Sequence, residues 1–120
     1  MTLNSKSKSH QGNLAVVIGG TGFIGSHLVR FLRYSGFRVR VFARRSFADC
    51  PAHLTAGIEP SDWFAGDACE AKSLALACAG ADTVFYTSGV SRLSSSNVDE
   101  MERVNIGGAH ALVEVCAEAC

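Results

Sequence analysis

The sequence predicts an α/β protein built on a doubly wound parallel sheet, with helices on both faces and about four strands in the order 3-2-1-4. Three observations predict it. Short apolar runs suited to buried strands alternate with stretches of helical period. A cluster of glycines stands at the first strand-to-helix junction. Right-handed crossovers then lay successive strands parallel. The 120 residues hold one domain, and 48% hydrophobic with 18% charged content fits an ordinary globular chain rather than a disordered one.

Taken in order, Leu14–Ile18 is a continuous apolar run closed by Gly19-Gly20, as expected of a strand buried on both faces. From Phe23 the period changes: Ile24, Leu28, Phe31 and Leu32 recur at helical spacing, and Gly36 is the expected stop. Phe37 to Ala43 (FRVRVFA) alternates and is rich in β-branched and aromatic residues, which predicts the second strand. Residues 46–61, with Pro51, Gly57 and Pro60, leave room for at most one short helix. Asp62 to Gly66 is a weaker third strand. Asp67 is expected to open a helix rich in Ala and Leu that ends near Gly80. Thr83 to Thr87 is the fourth strand. A long helix from about Val98 to Glu118 follows, with Met101, Val104/Asn105, Gly108, Leu112 and Val115/Cys116 on one face.

Charge and cysteine content exclude several classes of function. Lys+Arg and Asp+Glu are each 11, so no net charge draws the chain to nucleic acid or to an anionic membrane. The halves differ, +6 over residues 1–60 and −6 over 61–120, which puts the positive charge near any anion site in the first half. No stretch approaches the ~20 apolar residues that cross a bilayer. Residues 1–13 read as a disordered polar tail rather than a signal peptide, so the expected location is cytoplasmic. The five cysteines show no C-x-x-C spacing and are expected to be small buried thiols rather than disulfides or a zinc site. His10, His27, His53 and His110 have no partners at ligand spacing, so no metal is expected.

The first strand runs into Gly19-Gly20-Thr21-Gly22-Phe23-Ile24-Gly25. The cluster parses as G-x-G-x-x-G from Gly20 or as G-x-x-G-x-x-G from Gly19. Either form permits a tight turn, lets a pyrophosphate approach the backbone and lets the helix pack close to the strand. The N–H groups of Phe23 and Ile24, with the helix dipole behind them, would face the anion. The bland alternative is a glycine-rich turn with no ligand. A site for NAD carries an acid ~20 residues past the glycines, on the ribose 2′-hydroxyl. Here that position holds Ala43-Arg44-Arg45-Ser46, and the first acid is Asp49. Two guanidiniums suit a 2′-phosphate, so NADP is favoured over NAD; the alternative is a solvated basic turn.

These residues resemble the extended short-chain dehydrogenase/reductase family, which includes epimerase/dehydratase-like, dihydroflavonol-reductase-like and hydroxysteroid-dehydrogenase-like enzymes. Four stretches carry the resemblance: Ile18-GGTGFIGSHLVRFL, Phe64-Ala-Gly-Asp67, Ala81-Asp-Thr-Val-Phe-Tyr-Thr-Ser88 and Val104-Asn-Ile-Gly-Gly-Ala-His-Ala-Leu-Val-Glu-Val-Cys116. The resemblance implies a Rossmann-type fold and a dinucleotide site formed by Gly19, Thr21, Gly22, Phe23, Ile24 and Gly25 with Arg44 and Arg45. It implies that Asp67 and Ala68 lie at the adenine and that Thr87 and Ser88 lie along the nicotinamide ribose. Asp67-x-x-Glu70 is equally a helix capping box, and the two hydroxyls equally satisfy local backbone groups. Asn105 matches a helix asparagine that supports the family's catalytic water network, or is a packing position. Ile18 departs from the family's usual threonine, a hydroxyl that steadies the glycine turn.

The family's chemistry needs Y-x-x-x-K, yet four residues after Tyr34 and Tyr86 stand Arg38 and Val90. The expectation is therefore the NADP(H)-binding, C-terminally incomplete part of an oxidoreductase or epimerase/dehydratase acting on a secondary alcohol, a carbonyl or a nucleotide-sugar-like substrate. On its own such a chain is expected to be inactive and to leave the fourth strand open to self-association or a partner. The alternatives are a non-catalytic dinucleotide-binding sensor or scaffold, and a truncated gene product with no function of its own.

Overall fold

The computed structural model describes residues 13–88 and 106–119. Four strands, β1 (Leu14–Ile18), β2 (Arg38–Ala43), β3 (Trp63–Ala65) and β4 (Thr83–Tyr86), form one sheet in the order β3-β2-β1-β4. Every pairing is parallel, with Ile18 opposite Phe42 on one side and Tyr86 on the other. This is the order and the sense that the sequence predicts. The central strand β1 is buried along its whole length, as its unbroken apolar run requires.

Helix α1 (Phe23–Tyr34) covers one face of the sheet, packing Val29 and Leu32 onto Ala15, Val17, Val39 and Val41. The stripe that meets the sheet is Gly25, Val29 and Leu32, while Ile24 and Phe31 are 68% and 64% exposed. Of the expected Ile24, Leu28, Phe31 and Leu32, Leu32 is buried and Leu28 packs against the core, while Ile24 and Phe31 are corrected to the solvent side. The cause is Gly25: its close approach to the glycine turn sets the rotation of the helix. At the other end Gly36 N–H donates to Arg33 C=O and Phe37 N–H to Leu32 C=O, the paired bonds of a Schellman stop.

Between β2 and β3 the chain makes one short helix, as expected: α2 (Ala52–Thr55), between a 3-10 turn at Phe47–Asp49 and a second 3-10 turn at Pro60–Asp62. Pro51, Gly57 and Pro60 divide the segment too finely for one run of i→i−4 bonds. Asp62 belongs to the second turn rather than to β3. Its carboxylate, nearly buried, is gripped by Arg38 of β2, with Nη2 to Oδ1 at 2.8 Å and Nε to Oδ2 at 3.3 Å. This hydrogen bond and the attraction between the charges raise the Arg38 pKa above its ordinary value. Arg38→Ala leaves the carboxylate unpaired and is expected to cost about 1–3 kcal/mol, toward the low end because the guanidinium is itself more than half exposed. The urea midpoint measures this cost, and an Arg38→Ala/Asp62→Ala double variant should recover part of it.

The other face carries α3 (Ala71–Cys78) and α4 (Gly108–Ala119), which pack Leu74, Ala77, Cys78, Leu112 and Val115 onto Val16, Ile18 and Phe42. Helix α3 starts four residues later than Asp67, because Asp67 Oδ1 accepts from Cys69 N–H at 2.9 Å and Asp67 C=O accepts from Glu70 N–H. The residues expected to form a capping box make a tight turn before the helix instead. The described part of the last helix begins at Gly108; Met101, Val104 and Asn105 lie outside the described residues. Of the four described cysteines only Cys78 is buried, while Cys50, Cys69 and Cys116 are half-buried, which corrects the expectation of buried thiols. Among the described residues no helix is long and apolar enough to cross a membrane.

Candidate dinucleotide-type site at the strand ends

The C-terminal ends of β1, β2, β3 and β4 open into one cavity of about 330 Å³, within the ~300–1,000 Å³ range of ligand pockets. In open parallel sheets a crevice at this end is where ligands bind. Its floor is the glycine turn. Gly19 has φ of +90°, a conformation that side chains resist, and a Cβ there would lie 2.7 Å from the backbone nitrogen of Ser88. Gly22 caps α1 and lines the cavity. Gly25 is buried beneath the turn, where a Cβ would run into the Gly19 carbonyl and the Thr87 hydroxyl. Gly20 points the other way, into Val41 and Val29. The working triplet is thus Gly19, Gly22 and Gly25, the G-x-x-G-x-x-G parse, and Gly20 serves packing.

Ser26 N–H donates to Gly22 C=O at 2.8 Å, the first i→i−4 bond of α1. The N–H groups of Phe23, Ile24 and Gly25 precede it and have no acceptor within the helix. No acid lies in this first turn, so the helix's own first turn does not offset the positive end of its dipole. The Phe23 and Ile24 side chains are exposed outside the cavity, so these two residues can act there only through their backbone.

Thr21, Arg44, Arg45, Asp67, Ala68, Thr87 and Ser88 line the same cavity. Six expected residues from three separate stretches therefore meet the glycine turn and its Thr21 at one place, while Asn105 lies outside the described residues. Phe42, Ala43 and Gly66 also line the cavity and escape the sequence reading. Their signal was available, since each stands at the C-terminal end of a strand or one residue beyond it. Ala68 is buried with the α3 core, so its part is the backbone and the shape of the wall.

The basic residues divide into two kinds. Arg38 is committed to Asp62, and Arg40 donates to Ala77 C=O at 2.6 Å and Ala79 C=O at 3.0 Å, closing the end of α3. Arg44 and Arg45, just past β2, are exposed at the cavity with no ion pair to any described residue. Asp49, the first acid after the glycines, ends the 3-10 turn and is not part of the cavity wall.

The Thr87 hydroxyl donates to Ile18 C=O at 2.7 Å, with Gly19 C=O at 3.2 Å, and so ties the end of the fourth strand to the glycine turn. The strand that carries Ile18 is steadied by a hydroxyl from the residue just past its neighbour β4. Tyr86, at the end of β4, is pushed above its ordinary pKa by burial and then by the Cys69 thiol. A tyrosine that exchanges protons needs the opposite shift.

A phosphate-type loop at a helix N-terminus, a 3-2-1-4 parallel sheet and a cavity across its strand ends together define the first part of an extended short-chain dehydrogenase/reductase. Within that class the chain belongs to the 3-beta hydroxysteroid dehydrogenase/isomerase family, whose model matches residues 16–120. It is 34% identical over 114 residues to the sterol-4-alpha-carboxylate 3-dehydrogenase (decarboxylating) of Homo sapiens, covering 95% of this chain and 28% of that protein. It is 35% identical over 112 residues to the 3-beta-hydroxysteroid dehydrogenase of Mycolicibacterium neoaurum, covering 87% of this chain and 28% of that one. Among solved structures, a short-chain dehydrogenase/reductase superfamily protein from Agrobacterium tumefaciens with bound NAD superposes with a TM-score of 0.72 at 25% identity. That match covers 89% of this chain and 30% of the other. The chain therefore spans less than a third of the length of these relatives.

Proposed function

We propose that this chain is the NADP(H)-binding part of an oxidoreductase acting on a secondary alcohol or carbonyl, with a sterol-like ring compound as the substrate class. One observation carries the cofactor reading: Arg44 and Arg45 line the same cavity as the glycine turn, at the place where an NAD site carries an acid. The names of the relatives support the substrate class. In this reading the N–H groups of the first turn of α1 hold the pyrophosphate, and the guanidiniums hold the 2′-phosphate of the adenosine half. Asp67 and the Ala68 backbone bound the adenine, and Ser88 lies toward the nicotinamide ribose.

A bound nicotinamide dinucleotide supplies hydride transfer to or from carbon. The residues of this chain bind and orient it. Thr87 and Gly19 fix the floor, Phe42 and Ala68 form apolar wall, and Tyr86 stays protonated. Proton exchange with the substrate falls to residues beyond the part of the relatives that this chain spans, since neither Tyr34 nor Tyr86 has a lysine four residues on. Asn105 is placed by resemblance as a support for that step.

Calorimetric titration with NADPH and NADH tests the reading. NADPH should bind tighter, and an Arg44→Ala/Arg45→Ala variant should lose about tenfold or more in NADPH affinity, as removal of charge-assisted hydrogen bonds implies, while keeping its NADH affinity. Tighter binding of NADH by the unaltered chain would overturn it.

A further inference from the structure

The two arginines that line the cavity sit on a turn held at several points, and one of these holds is the side chain of Trp63. Trp63 is the first residue of β3 and only 8% exposed. Its indole Nε1–H donates to the Arg45 carbonyl at 2.9 Å, reaching across from the strand that pairs with β2. The ring itself is held: Phe47, two residues beyond Arg45, stands edge-on to it with centroids 5.7 Å apart at 82°. The far side of the turn is also fixed, because Ser46 Oγ accepts from Asp49 N–H at 3.3 Å and starts the 3-10 turn that carries Phe47. The near side is fixed by Gly66 N–H donating to Ala43 C=O at 2.9 Å. These anchors flank the backbone of Arg44 and Arg45, while both side chains stay exposed at the cavity.

We infer that Trp63 is a specificity-determining positioning residue: by holding the Arg45 carbonyl it aims the Arg44–Arg45 pair at the phosphate on the 2′ position of the adenosine ribose. The inference rests on the NADP(H) reading of the cavity. Its physical content is preorganisation. An arginine pair on a loose turn loses backbone freedom when it closes on a phosphate, whereas a pair on a pinned turn has already lost it on folding. The gain belongs only to ligands that carry the 2′-phosphate. In the NADP(H) reading the pyrophosphate meets the glycine turn, the adenine meets Asp67 and Ala68, and the nicotinamide ribose lies toward Ser88, so the hydrogen bond from Trp63 to Arg45 serves the 2′-phosphate alone. A residue that only packed the core would affect all dinucleotides alike.

The test is Trp63→Phe, which keeps an aromatic ring against Phe47 and removes the N–H. Affinities for NADPH and NADH are measured on both proteins by calorimetry. The expected result is a roughly three- to tenfold loss for NADPH, the range set by one lost hydrogen bond, with NADH affinity unchanged. Equal losses for both ligands, or no loss for either, overturn the role of Trp63 and leave the NADP(H) reading standing when the unaltered chain still prefers NADPH. A chain with no such preference overturns both. A second measurement needs no variant. Trp63 is the sole tryptophan, so its indole N–H gives one nitrogen–proton NMR signal. Exchange of that proton with solvent should slow more on adding NADPH than on adding NADH, and equal slowing contradicts the inference.

Discussion

Gly25→Ala should abolish dinucleotide binding and destabilise the fold together. A Cβ at this position meets the Gly19 carbonyl and the Thr87 hydroxyl, and neither can yield. The carbonyl belongs to a turn tied to Phe42 C=O through Gly19 N–H at 2.7 Å, and the hydroxyl is already committed to Ile18. Either α1 is levered away from the sheet or the glycine turn moves, and both displace the first-turn N–H groups from the cavity. Overpacking of this kind costs about 1–3 kcal/mol. Gly22→Ala is the matched control. Gly22 has φ of −77°, and a Cβ there meets only the Gly19 carbonyl oxygen at 3.5 Å, an ordinary contact. Because Gly22 lines the cavity, alanine should leave the melting temperature nearly unchanged and still weaken binding. Thermal unfolding and calorimetry on the two variants separate closeness of packing from closeness to ligand.

The largest loss of stability is expected from Phe42→Ala, about 3–5 kcal/mol, the usual cost of emptying a buried aromatic site. Phe42 is 2% exposed and packs with Ile18, Leu74 and Ala77 beneath α3 and α4. It is also a wall of the cavity, and its carbonyl holds the glycine turn. Truncation therefore joins the void to the ligand cavity and admits water beside apolar neighbours. Domains of this size are stabilised by only about 5–15 kcal/mol, so the loss takes a large share of the total. The melting temperature should fall by more than about 10 °C. A fall of only 1–2 °C would mean that the second core does not depend on this ring.

Much of this architecture is legible in the sequence because two periods announce themselves. The unbroken LAVVI run and the alternating RVRVFA run are the two most buried strands, and the glycine cluster between them has few other uses. The rotation of α1 is not legible, because Ile24 and Phe31 are as apolar as Val29 and Leu32. Only the contact of Gly25 with the turn decides which set faces inward. The start of α3 is misplaced because a carboxylate four residues before a helix serves a tight turn as readily as a cap. Arg38, Arg40, Arg44 and Arg45 read as one basic run, yet the first two neutralise a buried carboxylate and a helix end. That division depends on contacts 24 to 39 residues away, which no local pattern carries. The role of Thr87 is hidden likewise, since its acceptor is 69 residues away.

We propose that the adenosine half of the cavity selects a 2′-phosphate through Arg44 and Arg45. The most direct test uses ligands that contain only that half: titration of the protein with adenosine 2′,5′-bisphosphate and, separately, with adenosine 5′-monophosphate, which differs from it only by the 2′-phosphate. Adenosine 2′,5′-bisphosphate should bind at least about tenfold tighter, the factor expected of one charge-assisted contact to the extra phosphate. Adenosine 5′-monophosphate binding as tightly or more tightly would contradict a 2′-phosphate site and return the two arginines to the solvent.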